Sequence, residues 1–379
     1  MRVALVHYWL VGQRGGEKVM EALCRMFPSA EIFTLFYDSN SVSPLIRSHK
    51  VHVSALNPLR RFYRSLLPLM PVVLENFDLH DYDLIISSES GPAKGVITSA
   101  GTRHICYCHT PMRYLWELSA EYRRHNRAIA RAFYSLLANY LRVWDYASAA
   151  RVDTFVANSR NVQRRIWKTW RRRASVIYPP VAVDSFCHGP SRDYYLIVSE
   201  MVGYKHLDDA VRAFARSGQK LKIVGLGPEY KSLKRLATRN VEFCGRVPDA
   251  QLRELYAQSC ALIVPGEEDF GIAMVEALAS GKPVIALARG GAVEIVQNGC
   301  GILYEESLEQ AVRQFKAVEH NFDPAFLIAR ASHFSEQRFE ARFRRKIHNV
   351  FTNSTQLDRR PLFTMRHVES RSERKSRGA

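Results

Sequence analysis

The chain has 379 residues, 47% of them hydrophobic, and its 54 Lys and Arg against 37 Asp and Glu leave a net charge of +17. That length and apolar content suit two domains of ordinary size, and they exclude both a small disulfide-stapled scaffold and a chain too polar to bury a core. No run approaches the about 18 consecutive apolar residues of a membrane-spanning helix, and the opening MRVALVHYWLVG reads as a buried strand, not a secretory leader.

Seven cysteines, an odd number, form no disulfide framework, so a reducing cytoplasm is the expected setting. The charge is uneven. Residues 101–175 hold 15 Lys and Arg against Glu117, Glu121, Asp145 and Asp153, a net of +11. Such a surface attracts nucleic acid, anionic lipid or an anionic substrate. No zinc finger or RNA-binding aromatic signature accompanies it, so no nucleic-acid partner is expected.

In chain order, Arg2–His7 is the first expected strand, and Gly12–Glu17 turns into a helix ending near Met26. Further strands are expected at Glu31–Phe36, Leu84–Ser87, His104–Cys108 and Thr154–Ala157. This alternation predicts a doubly wound parallel sheet, with ligands at the carboxyl ends of its strands. Gly15 and Gly16 fall at such an end, where bare backbone can approach a ligand, although a tight turn would use the same residues.

Residues 58–74, PLRRFYRSLLPLMPVVL, set Arg60, Arg61 and Arg64 beside Phe62, Tyr63, Leu66 and Leu67. Cations mixed with apolar side chains suit the headgroup boundary of an anionic membrane, and Pro68 and Pro71 predict a short wedge there. The alternative is that Leu66, Leu67 and Val72–Leu74 pack into the core while the arginines are solvated. Asp81-Tyr82-Asp83 could hold a diphosphate-bound metal, but it precedes its strand and so lies at the wrong end of the sheet.

His104–Trp116, HICYCHTPMRYLW, places His109 at the end of a strand, with Cys106 and Cys108 sharing one strand face. Residues 120–150 read as one or two amphipathic helices. The stiff Tyr178-Pro179-Pro180 marks a domain boundary at about 178–190.

The βα pattern then restarts, with strands at Tyr195–Ser199, Leu221–Val224 and Val241–Gly245. Glycines 225 and 227 turn the chain after the second of these, and Asp249–Gln258 is a helix following Val247-Pro248. Lys205 precedes a helix running to Arg216, where an ammonium could hold a diphosphate. From Leu262 to Gly301 come a strand, a polar loop with Glu268, a helix over Gly271–Ser280, and a strand at Pro283–Leu287. That helix is apolar nearly all round. Its one charged residue, Glu276, needs a hydrogen-bond partner if it is buried. The free N–H groups at Phe270-Gly271-Ile272 would suit a phosphate.

The strings EDFGI, VEALASGKPVIA and GGAVEIVQNG, with Glu268 and Glu276 separated by seven residues, resemble the donor-site signature of the retaining group 1 (family 4) glycosyltransferases. The segment HTPMRY resembles that of lipopolysaccharide and exopolysaccharide mannosyltransferases in that family.

The resemblance implies an α/β protein with two Rossmann-like doubly wound domains facing across a cleft, the GT-B architecture. Residues 1–180 would bind the acceptor and 181–335 the nucleotide sugar. Residues 336–352 would form a last helix crossing back to the first domain, and 353–379 a basic disordered tail. It further implies retaining transfer of a hexosyl group, mannose from GDP-mannose, to a hydroxyl of a lipid-linked saccharide in envelope or exopolysaccharide assembly. A UDP-hexose donor, or a catalytically silent nucleotide-sugar scaffold, is the alternative.

On this resemblance His109, Glu268 and Lys205 are the catalytic candidates. Gly15, Gly16, Lys205, Gly225, Val247, Glu268, Phe270, Gly271, Ile272 and Glu276 are the donor-binding ones. Arg113 and Tyr114, with Arg60, Arg61 and Arg64, face the acceptor or the inner surface of the cytoplasmic membrane. No metal or cofactor is implied. One departure stands out: Glu200 occupies the position where the family has an arginine for the diphosphate, which leaves Arg14 or Arg289 to substitute.

Overall fold

The computed structural model describes the backbone of residues 1–12, 14–119 and 128–357. Its strands, all paired in parallel, form two sheets. The first sheet comprises β1 (Val3–Leu10), β2 (Glu31–Tyr37), β3 (Val51–Val53), β4 (Leu84–Glu89), β5 (Arg103–Cys108), β6 (Thr154–Ala157) and β7 (Ala174–Val176). Its spatial order is β3-β2-β1-β4-β5-β6-β7. The second comprises β8 (Tyr195–Val198), β9 (Leu221–Val224), β10 (Val241–Gly245), β11 (Leu262–Val264), β12 (Val284–Leu287) and β13 (Gly301–Tyr304). Its order is β10-β9-β8-β11-β12-β13.

The strands read as unbroken apolar runs because helices cover both sheet faces. Alternation then sorts their side chains. Val3 and Leu5 pack toward α1 (Gly15–Met26), against Val19, Met20 and Leu23, while Ala4 and Val6 face Phe33, Leu35 and Met70 on the other side. In the second sheet Leu196 packs with the core around Met274, whereas Tyr195 and Ile197 face Val211 and Phe214. Cys106 and Cys108 share a face as expected, buried with Phe155, Val162 and Trp170.

Strand order reverses beside β1 in one sheet and beside β8 in the other, and such switch points open a crevice at the strands' carboxyl ends. Gly15 and Gly16 leave the first crevice. Glu268 leaves the second.

β3 and β7 were not expected. Each is a three-residue edge strand, VHV and ASV, too short for a periodicity to register. Ala128–Ser148 (α2) lies within the helical stretch expected at 120–150, of which 120–127 is outside the described residues. Residues 57–69 form 3-10 turns, irregular at Leu59 and Phe62, that pass into a short helix Met70–Glu75.

The last helix, Glu336–Leu357, buries Phe339, Phe343 and Ile347 in the first-domain core, with Phe339 stacked 5.4 Å from Phe343 and edge-on to Tyr107. This helix runs past its expected end at 352, taking in 353–357 of the expected disordered tail, and residues 358–379 are outside the described residues. No described helix is long and apolar enough to cross a membrane.

Candidate functional site

In the second domain, the loop after β11 and the helix Ile272–Ala279 form one wall of a cavity of about 230 Å³. Gly271, before that helix, has φ +99°, and a Cβ there would lie 2.1 Å from Met274 Cε, so the turn requires glycine. Gly266 is just as constrained, since a Cβ would come within 2.6 Å of the Lys205 backbone. These glycines press the Glu268 loop against the Lys205 turn. Lys205 and Glu268 consequently form an ion pair at the cavity wall. Burial disfavours the Lys205 charge, but Glu268 and Tyr204 outweigh it and raise the pKa, so the ammonium persists.

Glu276, deep in the same helix, is 4% exposed. Its cost of burial is offset by two donors: the Tyr256 hydroxyl donates to Oε2 at 2.9 Å, and Lys18 Nζ donates to Oε1 at 2.7 Å. Lys18 belongs to α1, in the other domain.

A second cavity, of about 280 Å³, opens between the domains and is lined by Gly15, Gly16, His109, Asn158, Glu268 and Gly271 among others. It shares Glu268, Gly271 and Ile272 with the first cavity, so the two meet at that loop. A Cβ on Gly15 would lie 3.0 Å from Ile272 Cδ1, and one on Gly16 would lie 3.6 Å from His109 Nε2. Gly15 is the tighter of the two, and a Cβ on Gly16 would make only ordinary contact. His109 is hydrogen-bonded through Nε2 to the Ser88 hydroxyl at 2.8 Å. Burial pushes its pKa down to about 4, so at neutral pH it is an uncharged imidazole. His7, fully buried behind Gly16, is lowered to about 3 by burial and by His109.

Around this junction, carboxylates of the second domain meet cations of the first. Arg165, 8% exposed, bonds Glu267 at 2.6 Å and Asp269, and reaches Glu117 of its own domain at 2.9 Å. The backbone N–H groups of Arg160 and Asn161, at the start of helix Arg160–Trp170, donate to Glu294 at 2.9 and 3.0 Å. Arg113 lies over the Tyr204 ring at 5.0 Å and 3.9 Å from Asp269. Arg14 and Arg64 approach Glu200 at 3.8 and 4.0 Å.

Residues 188–325 match the family profile described as glycosyl transferases group 1, and residues 13–185 match that of glycosyltransferase family 4. The chain belongs to the group 1, family 4 glycosyltransferases.

Among curated relatives of this glycosyltransferase, the D-rhamnosyltransferase WbpZ of Pseudomonas aeruginosa is 27% identical over 210 residues, 50% of this chain and 53% of that protein. A GDP-mannose-dependent monoacylated alpha-(1-6)-phosphatidylinositol monomannoside mannosyltransferase of Corynebacterium glutamicum is 34% identical over 125 residues, 29% of this chain and 33% of that one. The chain thus spans about half the length of the curated relatives it matches, or less. The structure of Anabaena HepE in complex with UDP-glucose superposes with a TM-score of 0.68 at 17% identity, over 92% of this chain and 100% of that one. The shared fold is GT-B, two facing parallel-sheet domains.

Of the residues singled out in the glycosyltransferase sequence, Gly15, Gly16, His109, Glu268, Phe270, Gly271 and Ile272 converge on the cavity between the domains, and Lys205 lies just beyond Glu268. Gly225, Val247 and Glu276 line neither cavity. A Cβ on Gly225 would lie 2.0 Å from the Ser199 carbonyl oxygen, and Val247 packs on the core. Arg113 points into the cleft, Arg64 reaches toward Glu200 while staying mostly exposed, and Tyr114 packs beside Met112 and Leu115. Arg289 lines a different cavity with His206 and Arg212, so of the two arginines expected to compensate for Glu200, only Arg14 is at hand. Asp83 caps the Arg2 backbone N–H at 2.6 Å and Asp81 pairs with the Arg2 side chain, both at the amino end of the sheet.

Lys18, Arg165 and Tyr256 were not anticipated. Lys18 and Arg165 sit on amphipathic helices whose pattern does not say which positions meet another domain, and Tyr256 is a core residue whose hydroxyl partner the pattern does not name.

Proposed function

We propose that this glycosyltransferase moves a hexosyl group from a nucleotide sugar to an acceptor hydroxyl, with retention at the anomeric carbon. The observation that carries the reading is the junction at Glu268, where a cavity holding Lys205 opens into one flanked by Gly15, Gly16 and His109. In this reading the second-domain cavity takes the diphosphate. Lys205 and the N–H groups at Gly271 and Ile272 stabilise the charge that grows on the leaving diphosphate. Glu268 orients the transferred sugar, Glu276 holds the ribose hydroxyls, and neutral His109 hydrogen-bonds the sugar beside the acceptor.

With Lys205 as charge stabiliser, a divalent metal has no necessary part. The departing phosphate helps to take the acceptor proton, and attack comes from the same face. The two glutamates do not flank one reacting bond as a hydrolase pair would, because Glu276 is enclosed by Tyr256 and Lys18.

GDP-mannose is the proposed donor, in line with HTPMRY and with the GDP-mannose dependence of the Corynebacterium relative. UDP-hexose is the second reading, favoured by the UDP-glucose held in the HepE structure. The proposed acceptor is a lipid-linked saccharide, met by peripheral docking of the first domain on the inner face of the cytoplasmic membrane. Exposed Leu59, Phe62, Leu69 and Val72 beside Arg60 and Arg61 support that orientation.

The test is donor hydrolysis and transfer across a panel of nucleotide sugars, with and without EDTA. Turnover of GDP-mannose that survives EDTA is the expected result. Turnover of none would leave only a binding scaffold, and activity lost to EDTA and restored by Mg²⁺ or Mn²⁺ would replace Lys205 as the charge stabiliser.

A further inference from the structure

The second-domain cavity is short of positive charge. Its lining carries two carboxylates, Glu200 and Glu268, and among the described residues one cation, Lys205, already paired with Glu268. A diphosphate ester is negative on both phosphates, and its charge grows as the sugar leaves. Taken alone, that cavity repels what it has to hold.

The missing cations stand across the cleft. Arg14 Nη2 lies 3.8 Å from Glu200 Oε1, and Arg64 Nη2 lies 4.0 Å from the same atom. Arg14 is the better held of the two. It caps α1, where its backbone N–H donates to the Glu17 carboxylate at 3.0 Å. Its neighbour Gly15 lies so near Ile272, the first residue of the helix on the cavity wall, that a Cβ there would be 3.0 Å from Ile272 Cδ1. Arg64 is 65% exposed and donates through Nε to the Tyr63 hydroxyl.

We propose that Arg14 is a second diphosphate-binding cation, delivered by the first domain and aimed by Glu200. The proposal rests on the nucleotide-sugar reading of the site. It gives Glu200 a role that its charge alone would deny it: the carboxylate draws the guanidinium to the mouth of the cavity, where a phosphate oxygen can share it. It also couples donor affinity to the distance between the domains, because one of the two cations is absent from the cavity when they part. The bland alternative is an exposed ion pair, which contributes little to anything.

The two are separated by measuring binding of GDP and UDP to the purified full chain by calorimetry, together with donor kinetics. Arg14→Ala should weaken nucleoside-diphosphate binding about tenfold or more, raise the donor KM, leave the acceptor KM alone and flatten the salt dependence of binding. Glu200→Arg in that background, which places a cation on the cavity wall itself, should recover most of the affinity. Arg14→Ala binding as tightly as the unaltered protein would overturn the proposal. So would a folded Arg14→Ala/Glu200→Arg protein that binds no better than the single variant. If the unaltered protein binds neither nucleotide and turns over no nucleotide sugar, the reading of the whole site falls, and this assignment with it.

Discussion

Lys18 and Glu276 join the two domains through a 2.7 Å hydrogen bond between an ammonium on α1 and the lone carboxylate of the buried helix Ile272–Ala279. Tyr256 holds the other oxygen at 2.9 Å, so each carboxylate oxygen already has a donor before any ligand arrives. A ribose that binds Glu276 therefore exchanges with Lys18 or shares the oxygen with it.

Glu276→Gln keeps the shape and removes the charge. Its expected effect is on donor binding, with KM raised about 10-fold or more and kcat changed little, as for the loss of a hydrogen bond to a charged group. Steady-state kinetics check this, with a melting curve alongside because the carboxylate is buried. An unchanged donor KM would remove Glu276 from the donor site.

Glu268→Gln should act on turnover instead. Its carboxylate stands where the two cavities meet and fixes Lys205. A fall in kcat of about 10²- to 10³-fold is expected for a group that helps to stabilise charge in the transition state. A variant with ordinary kcat and only a weaker donor KM would demote Glu268 to a binding residue.

The buried titratable groups set opposite pH trends. His109 and His7 are lowered to about 4 and about 3, so the unfolded chain binds the extra protons, and stability is lost as pH falls from about 6.5 toward those values. Burial raises Glu17 to about 7 from 4.5, so the folded chain binds the extra proton, and stability falls as pH climbs through that interval. Glu17→Gln, which can still accept the capping bond from Arg14, should therefore raise Tm at pH 8 and leave it nearly unchanged at pH 4.5. The ceiling is roughly 3 kcal/mol. Equal effects at both pH values would show that Glu17 is ionised throughout.

Membrane docking narrows to fewer residues than the sequence offers. Leu66, Leu67 and Val73 pack into the first-domain core and Arg64 turns to Glu200, leaving Arg60 and Arg61 with Leu59, Phe62, Leu69 and Val72 on the outside. Co-sedimentation with vesicles containing anionic lipid should weaken as salt rises. Arg60→Glu/Arg61→Glu should reduce it, each arginine near such a surface being worth about 1 kcal/mol. No sedimentation at low salt would favour a soluble acceptor.

The fold was legible because periodicity and glycine placement are local. Apolar runs such as LIVP and PVIAL announce buried parallel strands, and Gly271, forced to positive φ, sits where the helix had to begin. Glu276 was legible for a related reason, since a lone charge on an all-apolar helix demands a partner. The identity of that partner was not. Lys18 lies 258 residues away, and nothing in either helix encodes their meeting. The same holds for Arg165, one arginine among many on a basic stretch, whose bond to Glu267 depends on how two domains face each other. Arg113 shows the limit most plainly. Its motif points to the site, but only the packing of Tyr204 beneath its guanidinium shows which side of the cleft it serves.

The return of the last helix to the first domain has a mechanical consequence. The chain passes between the domains twice, after β7 and again ahead of Glu336, and the two passages run side by side: the Val181 N–H donates to the Phe334 carbonyl at 3.0 Å, and Val181 pairs with Ser335. Two crossings joined in this way resist twisting more than one loose linker does. A spine of this kind favours a hinge-like swing of the domains over a swivel about a single linker. A swing about that spine would part Lys18 from Glu276 and Arg14 from Glu200 together, because both pairs span the same cleft.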